Sequence, residues 1–168
     1  MLEVIQFYYT FHAWAMAGLL ETMKQLSQEE YRNTEASGHG SIRDTFAHLL
    51  RAEWGWFSWF DKSMTPEQVY QLTLKGEEIA TIDEAAARWA RIRLQEQAMI
   101  ASLTEPALKE QWSFQLPNGV SGSLPLWKMM LHVANHGTHH TAQIMAAIRR
   151  AGHNPGGGDL IQYLLQAK

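Results

Sequence analysis

Apolar and polar positions follow a helical period along most of the chain. At about 100° per residue, Val4, Tyr8, Phe11, Ala15 and Leu19 gather on one side of the first segment, with Gln6, Thr10, Ala13, Ala17, Glu21 and Lys24 opposite. This pattern predicts an amphipathic helix over residues 3–26. The polar stretch 33–40 (NTEASGHG) reads as a loop, and Ser41 with Asp44 three residues on has the look of an N-cap with an acidic first turn. A second helix is expected over 42–60, with Ile42, Phe46, Leu49, Trp56, Phe57 and Phe60 as its stripe.

Pro66 and Gly76 mark 61–80 as a connection that has room for one short helix. Thr81 and Glu84 have capping-box spacing, and Ala85, Trp89, Ile92, Met99 and Leu103 continue as a third helix. Within 104–124 the period changes: WSFQL, PNG and VSGSL carry the turn chemistry of a small β-hairpin. Pro125 is placed for a first helical turn, a fourth helix follows to about 150, Gly152 ends it, and DLIQYLLQA closes the chain as a short helix. With no internal repeat and no long linker, the pattern predicts an all-α four-helix bundle, a single domain over 1–168.

Composition narrows the chemistry. There is no Cys, so disulfides, thiolate zinc sites and thiol nucleophiles are excluded, and any sulfur chemistry must use a substrate's own sulfur. A net charge of -3 gives no footprint for a phosphate backbone, so nucleic acid is not an expected partner. The apolar N-terminus lacks a basic n-region and is interrupted by Glu3, Gln6 and His12; no membrane span follows, and a soluble cytoplasmic protein is expected.

Four of eight histidines crowd into HVANHGTHH: His132, His136, His139 and His140. On the wheel of the fourth helix, His132 and His139 lie towards the wet side, with Lys128 and Arg150, whereas His136 and His140 sit one turn apart on the border that turns inwards. Four residues lift the second ring by about 6 Å and rotate it by only about 40°, so both imidazoles can reach one ion. The same spacing also suits two surface histidines. His48, the one histidine of the second helix, is the candidate third nitrogen, at the margin of its stripe.

His12 falls in the apolar half of the first helix and reads as a core histidine with one hydrogen bond, with a fourth ligand or a proton carrier as the alternative. Glu53 points about 140° away from His48 on the wheel and needs a buried partner of its own. His39 and His153 lie in loops and are given no role, and the run EWGWFSWF reads as core or dimer packing. HExxH, ExxH, Walker and GxGxxG motifs are absent.

Three segments, SIRDTFAHLLRAEWGWF, PLWKMMLHVANHGTHHTAQI and AGHNPGGGDLIQYL, resemble the DinB-like (YfiT-like, damage-inducible) family of metal-binding four-helix bundles. The resemblance implies a bundle whose second connection crosses over, homodimers, and three metal ligands that carry over onto His48, His136 and His140. It further implies zinc or nickel, and enzymes that transfer low-molecular-weight thiols or isomerise thiol adducts. Two positions depart from the family pattern: Thr141 replaces the usual arginine after the double histidine, and FHAWAM, with His12 and Met16, replaces an Asn-rich stretch. The resulting expectation is a metal-dependent thiol S-transferase or hydrolase acting on a small-molecule thiol or electrophile, with a stress-response or binding module held together by its metal as the alternative.

Overall fold

A computed structural model describes residues 1–36, 38–74 and 79–166 of the chain. Four long helices form the body: α1 (Leu2–Met23), α3 (Ile42–Phe60), α5 (Ile82–Ser102) and α7 (Leu126–Arg150). Between α1 and α3 come α2 (Gln28–Asn33) and the strands β1 (Glu35–Ala36) and β2 (Gly40–Ser41), paired antiparallel, so part of the predicted loop is a tight hairpin. The connection after α3 contains α4 (Pro66–Leu74); Gly76, placed in that connection from sequence, lies outside the described residues, as does Ala167 at the end of the closing helix. After α5 a one-turn α6 (Glu105–Lys109) precedes the hairpin β3 (Gln111–Gln115) and β4 (Ser121–Pro125), and α8 (Leu160–Gln166) ends the chain.

Local chemistry sets the helix starts. Ser41 Oγ accepts from the Asp44 N–H while the Asp44 carboxylate accepts from the Ser41 N–H, and Thr81 with Glu84 closes the same reciprocal box on α5. Pro125 closes β4 and caps α7 from outside rather than occupying its first turn. α1 stops at Met23, three residues short of the predicted end. Its core face is broader than the predicted stripe and turned from it: Phe11, Ala15 and Leu19 are buried as expected, but so are Ile5, Tyr9, His12, Met16 and Met23, while Val4 is 53% exposed. Apolar residues surround much of this helix, and a second aromatic flank, Phe7, Phe11 and Trp14, is occupied by Tyr163 of α8 with ring centroids 5.5–5.8 Å apart.

The core divides into two apolar clusters, one at each end of the bundle. One holds Met16, Leu19 and Met23 of α1, Phe46 and Leu49 of α3, Ile82 and Ala85 of α5, and Ile144 and Ile148 of α7. The other holds Ile5 and Tyr9 of α1, Phe57 and Phe60 of α3, Leu103 after α5, and Met130 and Val133 of α7. The starts of α3 and α5 therefore share an end with the finishes of α1 and α7. Consequently α3 and α5 are parallel, and the finish of α3 and the start of α5 stand at opposite ends of the bundle, about 28 Å apart along the nineteen residues of α3, as the expected crossover requires. α7 packs against both α1 and α3, and α5 completes the ring against the same two helices. No helix among the described residues is long and apolar enough to cross a membrane.

Between the two clusters lies a polar layer, with a buried polar side chain from each of α1, α3 and α5 and a glycine facing it from α7. His12 follows Tyr9, Glu53 follows Leu50, Glu96 follows Ile92, and Gly137 follows Val133. His12, Glu53 and Glu96 are 4%, 1% and 1% exposed.

Candidate metal centre

The facing sides of α3 and α7 bring three of the predicted rings together. His136 Nε2 lies 3.3 Å from His48 Nε2 and 3.1 Å from His140 Nε2. Each imidazole N–H can point at only one neighbour, so a proton on His136 cannot satisfy both contacts. Some lone pairs are left facing one another, an arrangement that a cation relieves. Nitrogens held tetrahedrally at 2.0–2.1 Å from an ion would be separated by about 3.4 Å, close to both observed distances. Both approaches are of the length that a shared ion would impose.

Electrostatics favours the same state. Burial, followed by the His140 and His48 rings, pushes His136 down to about 3, and burial, followed by His39 and His140, pushes His48 down to about 4. His140 is lowered too, by burial first, against a raising hydrogen bond from Gln143. All three rings are neutral at pH 7 and keep a lone pair for a metal.

Gln143, one turn beyond His140, orients the buried ring. Its Oε1 accepts from His140 Nδ1 at 2.7 Å, which turns the proton-free Nε2 towards the cluster, and its Nε2 donates to His139 Nε2 at 3.0 Å. His136 has no such support: its Nδ1 is buried without a hydrogen-bond partner. His132 stays outside the cluster, edge-on to Trp56 at 5.4 Å, and His139 is exposed at the rim.

His39, placed in a loop and given no role from sequence, lies in a turn that brings it against the cluster. The ring stacks on His48 at 3.8 Å with 14° between planes, and the ligand atoms of His39, His48 and His140 all lie within 4.8 Å of one another. Its sequence signal was the brackets Gly38 and Gly40, whose φ values of +109° and +99° make the tight turn that aims the ring at α3. Likewise His153 is not idle, since its Nε2 pairs with Glu30 Oε1 at 2.8 Å and ties the loop after α7 to α2.

His12 does not join the cluster. Its Nε2 meets Glu53 Oε1 at 2.6 Å, which supplies the buried partner that each required. Burial works to lower His12, but the charge and hydrogen bond of Glu53 outweigh it, and the net shift is upward. Nearby, Arg93 pairs with Glu96, whose carboxyl burial nonetheless pushes up to about 7. Tyr9 donates to the Met130 carbonyl at 2.9 Å at the edge of this layer. His12 packs against α7 at Gly137, where a Cβ would stand 2.3 Å from His12 Cε1. The two departures from the family pattern also meet: Thr141 Oγ1 donates to Met16 Sδ at 3.8 Å, both side chains buried.

An all-α bundle that gathers imidazole nitrogens able to hold a metal ion is thus the class of protein on view. The model of the DinB family matches residues 1–167, and the chain belongs to that family. Among its relatives, the protein DinB of Bacillus subtilis (strain 168) is 25% identical over 166 residues, a span of 95% of this chain and 93% of the relative.

Proposed function

We propose that this chain is a metal-dependent enzyme of the thiol S-transferase or hydrolase type, in which His48, His136 and His140 hold a zinc or nickel ion. The observation that supports it best is the approach of His136 Nε2 to both neighbouring Nε2 atoms, at 3.3 and 3.1 Å, with all three rings held neutral. A divalent ion in such a site supplies Lewis acidity and lowers the pKa of a thiol or water presented to it. The chain's own residues do the rest. Gln143 fixes which nitrogen His140 offers, and His48 and His136 are only half-buried. The sequence contains no cysteine, so the reacting sulfur comes with the substrate.

Metal analysis of protein purified without a histidine tag tests the reading. Wild type is expected to carry one divalent ion per chain and His136→Ala to lose it; undiminished metal in His136→Ala overturns the assignment. Turnover is then sought with low-molecular-weight thiols and electrophilic acceptors, with and without chelator. A second reading, in which the ion only secures the fold, draws on the placement of the ligands on two helices, α3 and α7. It predicts a chelator-sensitive melting temperature and no metal-dependent turnover.

A further inference from the structure

The loop-borne His39 is the feature that neither the family pattern nor the three-ring site accounts for. It reaches the cluster from a different element than the other rings, the turn between β1 and β2. That hairpin is anchored on both sides: Arg150 donates to the Glu35 carbonyl at 2.7 Å, and the Ile42 N–H donates to the Thr34 carbonyl at 2.9 Å. The Gln143 amide lies against Gly38, where a Cβ would be 3.3 Å from its Nε2, so the group that orients His140 also borders the turn that carries His39.

His48 and His140 belong to both constellations. His39 contacts them with ring centroids 3.8 and 5.1 Å away, and His136 contacts the same two at 5.3 and 4.3 Å. Among the described residues no ring contact joins His39 to His136. The two rings therefore meet the shared pair from different sides, and the side taken by His39 is the exposed one. His39 is thus a further imidazole beside two of the three rings that would hold the ion. The ligand atoms of His39, His48 and His140 lie within 4.8 Å of one another, against a separation of about 3.4 Å for nitrogens bonded to one ion.

We propose that His39 is a fourth, exchangeable nitrogen ligand that closes the metal site at rest and gives up its position to an incoming anionic ligand such as a substrate thiolate. The proposal rests on the three-ring site argued above. Its physical basis is the difference in support: the three helix-borne rings are held by packing, while His39 is exposed and held by its short turn and by stacking on His48. A ligand of that kind competes with substrate, and the apparent affinity of any competitor falls by the fraction of time the position is open.

The test uses the full chain loaded with Co²⁺, whose visible absorption reports coordination number and donor type, and azide as the incoming anion. His39→Ala is expected to bind one Co²⁺, to show a changed visible spectrum, and to bind azide at least about fivefold more tightly than wild type, which corresponds to a position open at rest no more than about a fifth of the time. If His39→Ala and wild type share one spectrum and one azide affinity while both hold Co²⁺, the fourth-ligand proposal is overturned and the three-ring site survives. If wild type binds no Co²⁺, or His48→Ala binds it as wild type does, both proposals fall. The exposure of His39 makes its truncation compatible with folding, and far-ultraviolet circular dichroism checks this.

Discussion

Gly137 sits where α7 passes the polar layer, and Gly137→Ala is the most telling single change. The added methyl would lie 2.3 Å from His12 Cε1 and 2.8 Å from His12 Nδ1, against an ordinary carbon contact of about 3.5–4.0 Å. His12 cannot retreat freely, because Nε2, next to the crowded Cε1, is bonded to Glu53 at 2.6 Å and the ring is 4% exposed. Relief requires either displacement of α7 or rupture of the His12–Glu53 pair, and stranding a buried carboxylate costs about 3–5 kcal/mol. Alanine returns about 1 kcal/mol over glycine through helix propensity, which leaves a net loss of about 2–4 kcal/mol. At roughly 2–4 °C per kcal/mol for a chain of this length, the melting temperature should fall by about 10 °C. Gly18→Ala is the matched control, since its methyl meets only the Gly157 carbonyl at an ordinary 3.5 Å, and it should gain about 1 kcal/mol. Urea unfolding of both variants, with His12→Ala combined with Gly137→Ala, measures the coupling. The double variant should cost less than the sum of the singles, because the steric conflict goes with the ring. A Gly137→Ala protein as stable as wild type, or strictly additive effects, would refute the close approach.

Further outcomes follow from the same geometry. Gln143→Ala removes the acceptor for His140 Nδ1 at 2.7 Å and should weaken Zn²⁺ binding by about 10–100-fold in calorimetric titration, with the fold unchanged; unaltered affinity would show that His140 needs no orienting partner. The folded-state values of His12 and Glu96 both lie above their ordinary ones, so the native state retains protons that the unfolded chain releases. Their contribution is full below the unfolded values and is lost as pH rises, for Glu96 through about 7. In metal-free protein, Glu96→Gln should therefore lose less stability than wild type between pH 5 and pH 8, and parallel urea midpoints across that range would contradict this. Below about pH 6.5 the lowered values of His48 and His136 act in the opposite sense: the unfolded chain takes up protons first, and metal-free protein should lose stability as pH falls towards 4 and 3.

Much of this architecture is legible from sequence because it is written locally. Ser41 with Asp44 and Thr81 with Glu84 announce helix starts within four residues, and the PNG turn announces the hairpin of β3 and β4. The spacing of His136 and His140 needs only helix geometry to place both rings on one border, and their approach to His48 follows once α3 faces α7. What escaped depends on tertiary placement. On α1 the wheel chose an apolar stripe containing Val4, but aromatic residues lie on two flanks, and only the arrival of Tyr163 decides which flank faces α8. His39 was passed over because a two-residue strand pair carries almost no periodicity, and its proximity to His48 arises from a turn that reverses the chain within a few residues. The need of Glu53 for a partner was readable; that the partner is His12 depends on which helices meet across the middle of the bundle.

The charged belt across the waist also governs how the four rods can align. Slide one of them by a single turn, about 5.4 Å, and a buried polar side chain leaves its partner for a neighbourhood of Leu50, Phe57 or Met130, while Gly137 no longer stands opposite the imidazole that needs its missing side chain. Hydrocarbon alone would tolerate such slippage, one leucine replacing another at small cost. Because His136 and Gly137 are consecutive, the alignment that seats the ion pair is also the one that brings α7 level with His48, so an interior contact far from solvent calibrates the height at which the outer imidazoles meet.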